Sequence, residues 1–84
     1  MKAQQIYFSA FDKRFFRLPV DVQHQIESKI DEIGLRLQQH PHYRMTGSDS
    51  FRVRVGDYRV IYEFDVAKEE IYLLTVGHRG DIYR

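Results

Sequence analysis

The sequence predicts an α+β fold in which a short strand and two helices precede a three-stranded meander. Apolar residues recur at helical spacing between residues 22 and 37, whereas apolar and charged residues alternate on both sides of Gly56-Asp57. The chain contains no repeat, low-complexity tract or linker over its 84 residues. We therefore expect one domain that spans residues 1–84.

The first half of the chain predicts a strand and a helical hairpin. Residues 4–8 are expected to form the first strand. Ser9, followed three positions later by Asp12, is typical of a capping box that starts a short helix through Leu18. Pro19 suits the first turn of a second helix that ends near residues 40–41. Its apolar stripe consists of Val22, Ile26, Ile30, Ile33 and Leu37.

The second half predicts a polar loop at 41–50 and strands at 51–55, 58–65 and 70–77. Both helices are expected on one face of an antiparallel sheet. If Gly56-Asp57 forms a two-residue turn, Val55 pairs with Tyr58 and Arg54 lies opposite Arg59. If Asp65 lies opposite Glu70, alternation then places one set of side chains toward the helices: Phe51, Val53, Val60, Tyr62, Phe64, Ile71 and Leu73.

The other face of the sheet is predicted to mix charged and apolar side chains, namely Arg52, Arg54, Arg59, Ile61, Glu63, Tyr72, Leu74 and Val76. It is either an ordinary solvated face or a binding surface. Like charges directly opposite each other destabilise a sheet, and a bound phosphate would relieve the repulsion between Arg54 and Arg59. We favour the binding surface for that reason.

Composition limits the possible function. The absence of cysteine excludes disulfides, zinc–thiolate sites and thiol nucleophiles. No apolar run approaches the roughly 20 residues of a membrane span, and no signal-peptide pattern is present, so we expect a cytoplasmic protein without a membrane partner. His40 and His42 lack an evident third ligand, and we expect no metal and no cofactor. The net charge is only +1, so binding of nucleic acid must depend on local charge.

Two segments carry a resemblance to a known family. These are RVRVGDYRVIY at 52–62 and GHRGDIYR at 77–84. Together with the helical hairpin before them, they resemble the RelE/ParE superfamily of bacterial toxins over nearly the whole chain. The resemblance implies a small α+β toxin that is encoded beside an antitoxin, its silencing partner. The exposed positions expected for Ile61, Leu74 and Val76 would favour such a complex over a self-dimer.

The resemblance also implies an activity. Nuclease members of the superfamily cut messenger RNA, usually in the ribosomal A site, and their active-site pattern falls here on Arg59, Arg79 and Tyr83. Arg52 and Arg54 occupy positions that line the RNA groove, and His78 is a further candidate for RNA binding. The ParE branch inhibits DNA gyrase without being an enzyme and generally lacks the tyrosine and some of these arginines. The RNA-cleaving branch is therefore favoured, and a gyrase inhibitor or an inactive antitoxin-binding member is the alternative.

The chemistry expected of these residues needs no metal. The RNA 2′-hydroxyl attacks the adjacent phosphate, which leaves a cyclic phosphate and a free 5′-hydroxyl. Arg59 and Arg79 would stabilise charge on the phosphorane, because a guanidinium stays cationic and matches two phosphate oxygens. Tyr83 would act as the acid/base group or as a stacking platform, with neighbouring guanidinium groups favouring its phenolate. The identity of the general base stays open, and His78 and Glu63 are the other candidates.

Overall fold

The two helices and four predicted strands follow one another in the predicted order, and one additional short strand brings the number of strands among the described residues to five. The computed structural model describes residues 2–78. The elements are β1 (Gln4–Tyr7), α1 (Ser9–Phe15), α2 (Val20–Leu35), β2 (Tyr43–Arg44), β3 (Phe51–Val55), β4 (Tyr58–Asp65) and β5 (Glu70–His78). This arrangement confirms the predicted α+β class. None of the helices formed by the described residues is long and apolar enough to cross a membrane.

The helices begin close to the predicted positions, but α1 ends at Phe15 and not at Leu18, α2 ends at Leu35 and not near residues 40–41, and the caps differ. Ser9 lies inside α1 and Phe8 is the N-cap, without a side-chain hydrogen bond, so the predicted capping box does not form. Pro19 is the N-cap of α2 and not part of its first turn. Helix α2 ends at Leu35, before Leu37, which is nevertheless buried against the core.

The sheet has the strand order β1-β5-β4-β3-β2. Strands β3 to β5 form the predicted antiparallel meander. Strand β2 pairs antiparallel to β3, and β1 pairs parallel to β5, which makes the sheet mixed. The predicted loop at 41–50 contains β2, in which Tyr43 lies opposite Arg52 and Arg44 opposite Phe51. A strand of two residues is too short to show a period-two pattern, so the sequence did not indicate it.

The hairpin between β3 and β4 has the predicted register. Val55 lies opposite Tyr58, and Arg54 lies opposite Arg59. Gly56 has a φ of +60°, whereas Asp57 does not have a positive φ. A glycine with positive φ at the first central position is typical of a type II′ turn, whose twist matches that of the two strands.

The register between β4 and β5 starts as predicted, with Asp65 opposite Glu70, and then shifts by one residue. Tyr62 lies opposite Leu73 while Ile61 lies opposite Thr75, which leaves Leu74 as the extra residue of a β-bulge. The bulge returns Val76 to the helix-facing side, where it is fully buried. The prediction that Val76 lies on the outer face was therefore wrong.

The core lies between the helices and the helix-facing side of the sheet. Phe11, Phe15 and three isoleucines of α2 pack against Val60, Tyr62, Ile71, Leu73 and Val76. Full burial of an aliphatic or aromatic side chain stabilises a fold by roughly 1.5–3 kcal/mol, so this layer supplies most of the driving force for folding. We call the opposite face of the sheet the outer face.

Candidate nucleic-acid interface

Three arginines stand together on the outer face of the sheet, and we call Arg52, Arg54 and Arg59 the arginine cluster. Arg54 and Arg59 are directly opposed on β3 and β4, a position in which Cβ atoms lie about 4.5–5.5 Å apart. Arg52 is two residues along β3 and therefore about 7 Å from Arg54 on the same face. Three positive charges thus converge within a small area of the sheet.

The hairpin turn and the neighbouring strand position the two opposed arginines. The Nε of Arg54 donates a hydrogen bond to the carbonyl oxygen of Gly56 at 3.0 Å, which holds the guanidinium over the turn. Arg59 is half-buried, and its other Cα partner is Gly77 of β5. Because Gly77 carries no side chain, β5 contributes none at the position beside Arg59.

A cleft of about 510 Å³ extends from the arginine cluster around the edge of β3. Its other described lining residues are Lys29, His40, Pro41, Tyr43 and Val53. Strand β2 pairs only with Phe51 and Arg52, so the backbone from Val53 to Val55 forms the edge that the cleft follows. No carboxylate is among the described residues that line the cleft, and its four cationic side chains are Lys29 and the three arginines. Lys29 is paired with Glu32 at 2.8 Å. The arginine cluster therefore makes the cleft electropositive although the net charge of the chain is only +1.

The other end of the outer face is acidic. Glu63 lies four residues from Arg59 along β4, about 13 Å away, and accepts a hydrogen bond from the Ser50 hydroxyl at 2.9 Å. Tyr72 donates its phenol hydrogen to Glu70 at 2.5 Å. That hydrogen bond, together with smaller contributions from burial and nearby carboxylates, raises the pKa of Tyr72 to about 12. Tyr72 is therefore a neutral phenol at neutral pH.

His78 is still part of β5, although the strand was predicted to end one residue earlier. It lies opposite Tyr58, and the two rings meet edge to face with centroids 5.6 Å apart. Because directly opposed residues share a face, His78 stands on the helix-facing side of the sheet, opposite to the arginine cluster. The exposed imidazole therefore does not join Arg54 and Arg59 on one surface.

Of the six residues predicted from the sequence, the structure brings three together, namely Arg52, Arg54 and Arg59. Arg79 and Tyr83 lie outside the described residues. Lys29, His40 and Tyr43 also line the cleft but were not predicted as site residues. Only the folding of α2 and β2 beside β3 places them there, and no local pattern in the sequence indicated this proximity.

His42 has a structural role beside the cleft. Its Nδ1 lies 2.6 Å from the hydroxyl of the buried Tyr62, and its Nε2 lies 2.7 Å from the carbonyl oxygen of Leu37. The carbonyl can only accept, so Nε2 carries the proton and Nδ1 accepts the phenol hydrogen. The neighbouring His40 is partly buried, which lowers its pKa. Within residues 2–78, no three histidine, aspartate or glutamate side chains group closely enough to hold a metal ion.

Comparison with known proteins identifies the family. A family profile described as the ParE toxin of the type II toxin–antitoxin system parDE matches residues 3–83. No curated protein matches the chain.

Solved structures share the fold. The toxin–antitoxin complex RelBE2 from Mycobacterium tuberculosis contains a chain that is 19% identical, with a TM-score of 0.76 and coverage of 96% of this chain and 95% of that chain. The archaeal RelE–RelB complex from Pyrococcus horikoshii OT3 gives 24% identity, a TM-score of 0.75 and coverage of 96% and 99%. The isolated RelE toxin of E. coli is 19% identical, with a TM-score of 0.76 and coverage of 96% of this chain and 90% of that chain.

The family match spans nearly the entire chain, and the structures agree with it at the level of the fold. The chain therefore belongs to the ParE toxin family of type II toxin–antitoxin systems, within the RelE/ParE toxin superfamily.

Proposed function

We propose that this toxin is a metal-independent endoribonuclease that cleaves messenger RNA, in the ribosomal A site, and thereby inhibits translation. The observation that carries the proposal is the direct opposition of Arg54 and Arg59 on the outer face, with Arg52 beside them. Two guanidinium groups in this arrangement repel each other, and a bound anion would relieve the repulsion. The arrangement suits a phosphate, whose oxygens a guanidinium binds in a bidentate manner.

The reaction follows from the chemistry of RNA. The 2′-oxygen loses its proton and forms a bond to phosphorus, the bond from phosphorus to the 5′-oxygen breaks, and the 5′-oxygen takes up a proton. The products are a 2′,3′-cyclic phosphate and a 5′-hydroxyl. Arg59, with Arg79, stabilises the charge that develops on the phosphorane. Arg79 is two residues along the chain from Gly77, the Cα partner of Arg59, which supports this pairing of roles.

The proton transfers are assigned to Tyr83, and the surroundings of the other candidates support this choice. Glu63 is about 13 Å from Arg59 along β4 and is hydrogen-bonded to Ser50. His78 stands on the opposite face of the sheet. Tyr72 has its pKa raised to about 12 through its hydrogen bond to Glu70 and is a poor base. The role of Tyr83 follows from the resemblance of its segment to the active-site pattern, and positive charge near its phenol would favour the phenolate.

We further propose that a cognate antitoxin is the protein partner. The complexes from M. tuberculosis and P. horikoshii pair RelE-type toxins with RelB-type antitoxins. Of the three apolar positions predicted for such a contact, Ile61 is 6% exposed and Val76 is fully buried, whereas Leu74 is half-buried. The exposed aromatic side chains Tyr7, Phe8 and Phe16 supply large apolar surface instead.

The test is to induce the protein in cells and map RNA 5′-ends. We expect new ends inside coding regions that are being translated. Arg59→Ala or Tyr83→Phe should lower cleavage by about 100-fold or more, since removal of one transition-state donor typically costs two to three orders of magnitude. Arg17→Ala, which removes an exposed arginine of the segment between α1 and α2, is the matched control and should cleave normally.

Three other outcomes would contradict the proposed nuclease activity or the residues assigned to it. A DNA-damage response with intact messages would identify a gyrase inhibitor. Antitoxin binding without growth arrest or new RNA ends would identify an inactive member of the superfamily. Undiminished cleavage by both Arg59→Ala and Tyr83→Phe would leave the activity in place but overturn the assigned residues.

A further inference from the structure

Tyr43 is an exposed aromatic side chain that does not pack in the core of the protein. It is 61% exposed, in contrast to the buried Tyr62. The four other tyrosines of residues 2–78 each have a side-chain partner: Tyr7 bonds Gln5, Tyr58 contacts His78, Tyr62 bonds His42 and Tyr72 bonds Glu70. No ring contact or side-chain hydrogen bond engages Tyr43 within the described residues. Its ring therefore contributes little to folding.

The register of β2 places Tyr43 beside the arginine cluster. Tyr43 lies directly opposite Arg52, so both side chains stand on the outer face. The position of the next residue, Arg44, supports this assignment. Arg44 lies opposite Phe51, and its guanidinium carbon is 5.4 Å from the centroid of the Phe51 ring. Arg44 thus points to the helix-facing side, as alternation requires. Tyr43 lines the same cleft as Arg52, Arg54 and Arg59.

We propose that Tyr43 forms a base-stacking subsite of this cleft, and that the cleft takes single-stranded RNA with an unstacked base next to the bound phosphate. The inference rests on the proposed function, since it assumes that the arginine cluster binds an RNA phosphate. An exposed ring next to guanidinium groups is the combination with which proteins bind single strands. In a duplex the bases are paired and stacked on one another and cannot lie on a protein ring.

The remaining lining residues extend the subsite. Lys29 and His40 also line the cleft, around the edge of β3, and the Lys29 ammonium there is paired with the Glu32 carboxylate at 2.8 Å. An RNA strand whose phosphate is held by the arginine cluster can therefore place the adjacent base on Tyr43. Stacking on a ring tolerates every base because each has a π face, so the subsite selects for strandedness more than for sequence.

Binding of a labelled eight-nucleotide 2′-O-methyl oligouridine, measured by fluorescence polarisation, tests the subsite without cleavage. Tyr43→Leu is expected to weaken binding by about five- to 150-fold, the usual effect of losing one stacked base. Tyr43→Phe should stay within about twofold of the wild type, because the ring is retained. Leu35→Ala is the matched control, since Leu35 is 60% exposed but does not line this cleft.

Two further readouts separate stacking from a structural effect. The loss caused by Tyr43→Leu should disappear with an otherwise identical oligonucleotide that lacks its bases. The Tyr43→Leu variant should also show the same salt dependence of binding as the wild type, whereas Arg54→Ala should show a weaker salt dependence. A duplex of the same length should bind more weakly than the single strand.

The outcomes distinguish this subsite from the nuclease proposal. If Arg54→Ala weakens binding but Tyr43→Leu behaves like the wild type, the subsite is wrong and the nuclease proposal stands. Equal binding of duplex and single strand would overturn the subsite in the same way. If the wild-type protein binds no RNA, or if Arg54→Ala has no effect, the proposed function fails and the subsite fails with it.

Discussion

Arg54 and Arg59 place two positive charges at directly opposed positions of one hairpin. Such a pair weakens a sheet, and a pair of opposite charges at the same positions would strengthen it. Arg54 also donates a hydrogen bond to the carbonyl oxygen of Gly56, and this contact is exposed. The arginine cluster is thus better suited to holding an anion than to stabilising the fold.

The opposition of the two arginines predicts a trade between stability and binding. Arg54→Glu converts the like-charge pair into an ion pair and should raise the free energy of unfolding by about 0.5–1 kcal/mol. The same variant should lose most of its affinity for the oligouridine. Urea denaturation and fluorescence polarisation measure the two effects. Arg17→Glu, which has no opposed arginine, should change neither, and a destabilised Arg54→Glu protein would argue against the repulsion.

His42 shows what residue patterns do not reveal. In the sequence, His42 and His40 could be considered only as a pair of metal ligands, and no third ligand was evident. In the structure, its ring packs on Phe64 with centroids 4.1 Å apart and accepts the phenol hydrogen of Tyr62. These partners are 22 and 20 residues away in the chain. Only the folded sheet brings them together.

At the scale of elements, the bulge in β5 determines what stands beside Arg59. If the register that starts at Asp65 and Glu70 continued without a bulge, Val76 would lie opposite Arg59. With it, Gly77 lies opposite Arg59, and Val76 enters the core opposite Val60. One inserted residue thus buries a hydrophobic side chain and removes a side chain from the site. Strict alternation in the sequence cannot indicate where such a shift occurs.

The parallel edge strand β1 is tied to helix α2 by the carboxylate of Asp31. Its oxygen accepts hydrogen bonds from the Lys2 ammonium at 2.8 Å and from the Gln5 amide at 2.7 Å. The hydrogen bond from Lys2, and then that from Gln5, lowers the pKa of Asp31 below its ordinary value. A carboxyl whose pKa is lower in the folded state stabilises the fold above its unfolded pKa. This stabilisation is lost as the pH falls through the folded value.

Asp31→Asn should therefore destabilise the protein at neutral pH and less so in acid. Because the pair is about half exposed, we expect a loss of only about 0.5 kcal/mol at pH 7. The difference from the wild type should shrink as the pH falls below about 4, where the unfolded carboxyl begins to take up a proton. Urea denaturation at a series of pH values measures it. In a double-mutant cycle with Lys2→Gln the effects should not add, and a difference that is constant with pH would exclude the ion pair as its cause.

At the scale of the whole molecule, charge is separated along the outer face. The arginine cluster occupies one end, and Glu63, Asp65 and Glu70 occupy the other. Arg59 and Asp65 are six residues apart on β4, which is about 20 Å. Screening in physiological salt acts over about 8 Å, so Asp65 does not neutralise the charge of Arg59. Glu63, which is the diagonal neighbour of Arg52 at about 7–8 Å, reduces the positive field only at the Arg52 end of the cluster. A net charge of +1 therefore conceals a locally basic site.

This separation predicts the salt dependence of RNA binding. If the arginine cluster contacts three phosphates of a single strand, the logarithm of the affinity should fall with the logarithm of the salt concentration with a slope of about −2. Arg54→Ala should reduce the slope by about 0.7. Titrations between 50 and 200 mM salt, roughly the range over which such slopes are measured, provide the test. Glu69→Gln, at the acidic end, should leave the slope unchanged, and a slope near zero would mean that the arginines do not bind phosphates.

Local patterns in the sequence were enough to determine the α+β class, the helical hairpin, the β3–β4 turn and the opposition of Arg54 to Arg59. These features depend on periodicity and on one glycine with positive φ, and both are properties of neighbouring residues. Tertiary structure alone decided the parallel position of β1, the bulge at Leu74, the face occupied by His78 and the approach of Tyr43 and Lys29 to the arginine cluster. Each of these depends on contacts between distant parts of the chain, whose register is set by packing of the shared core.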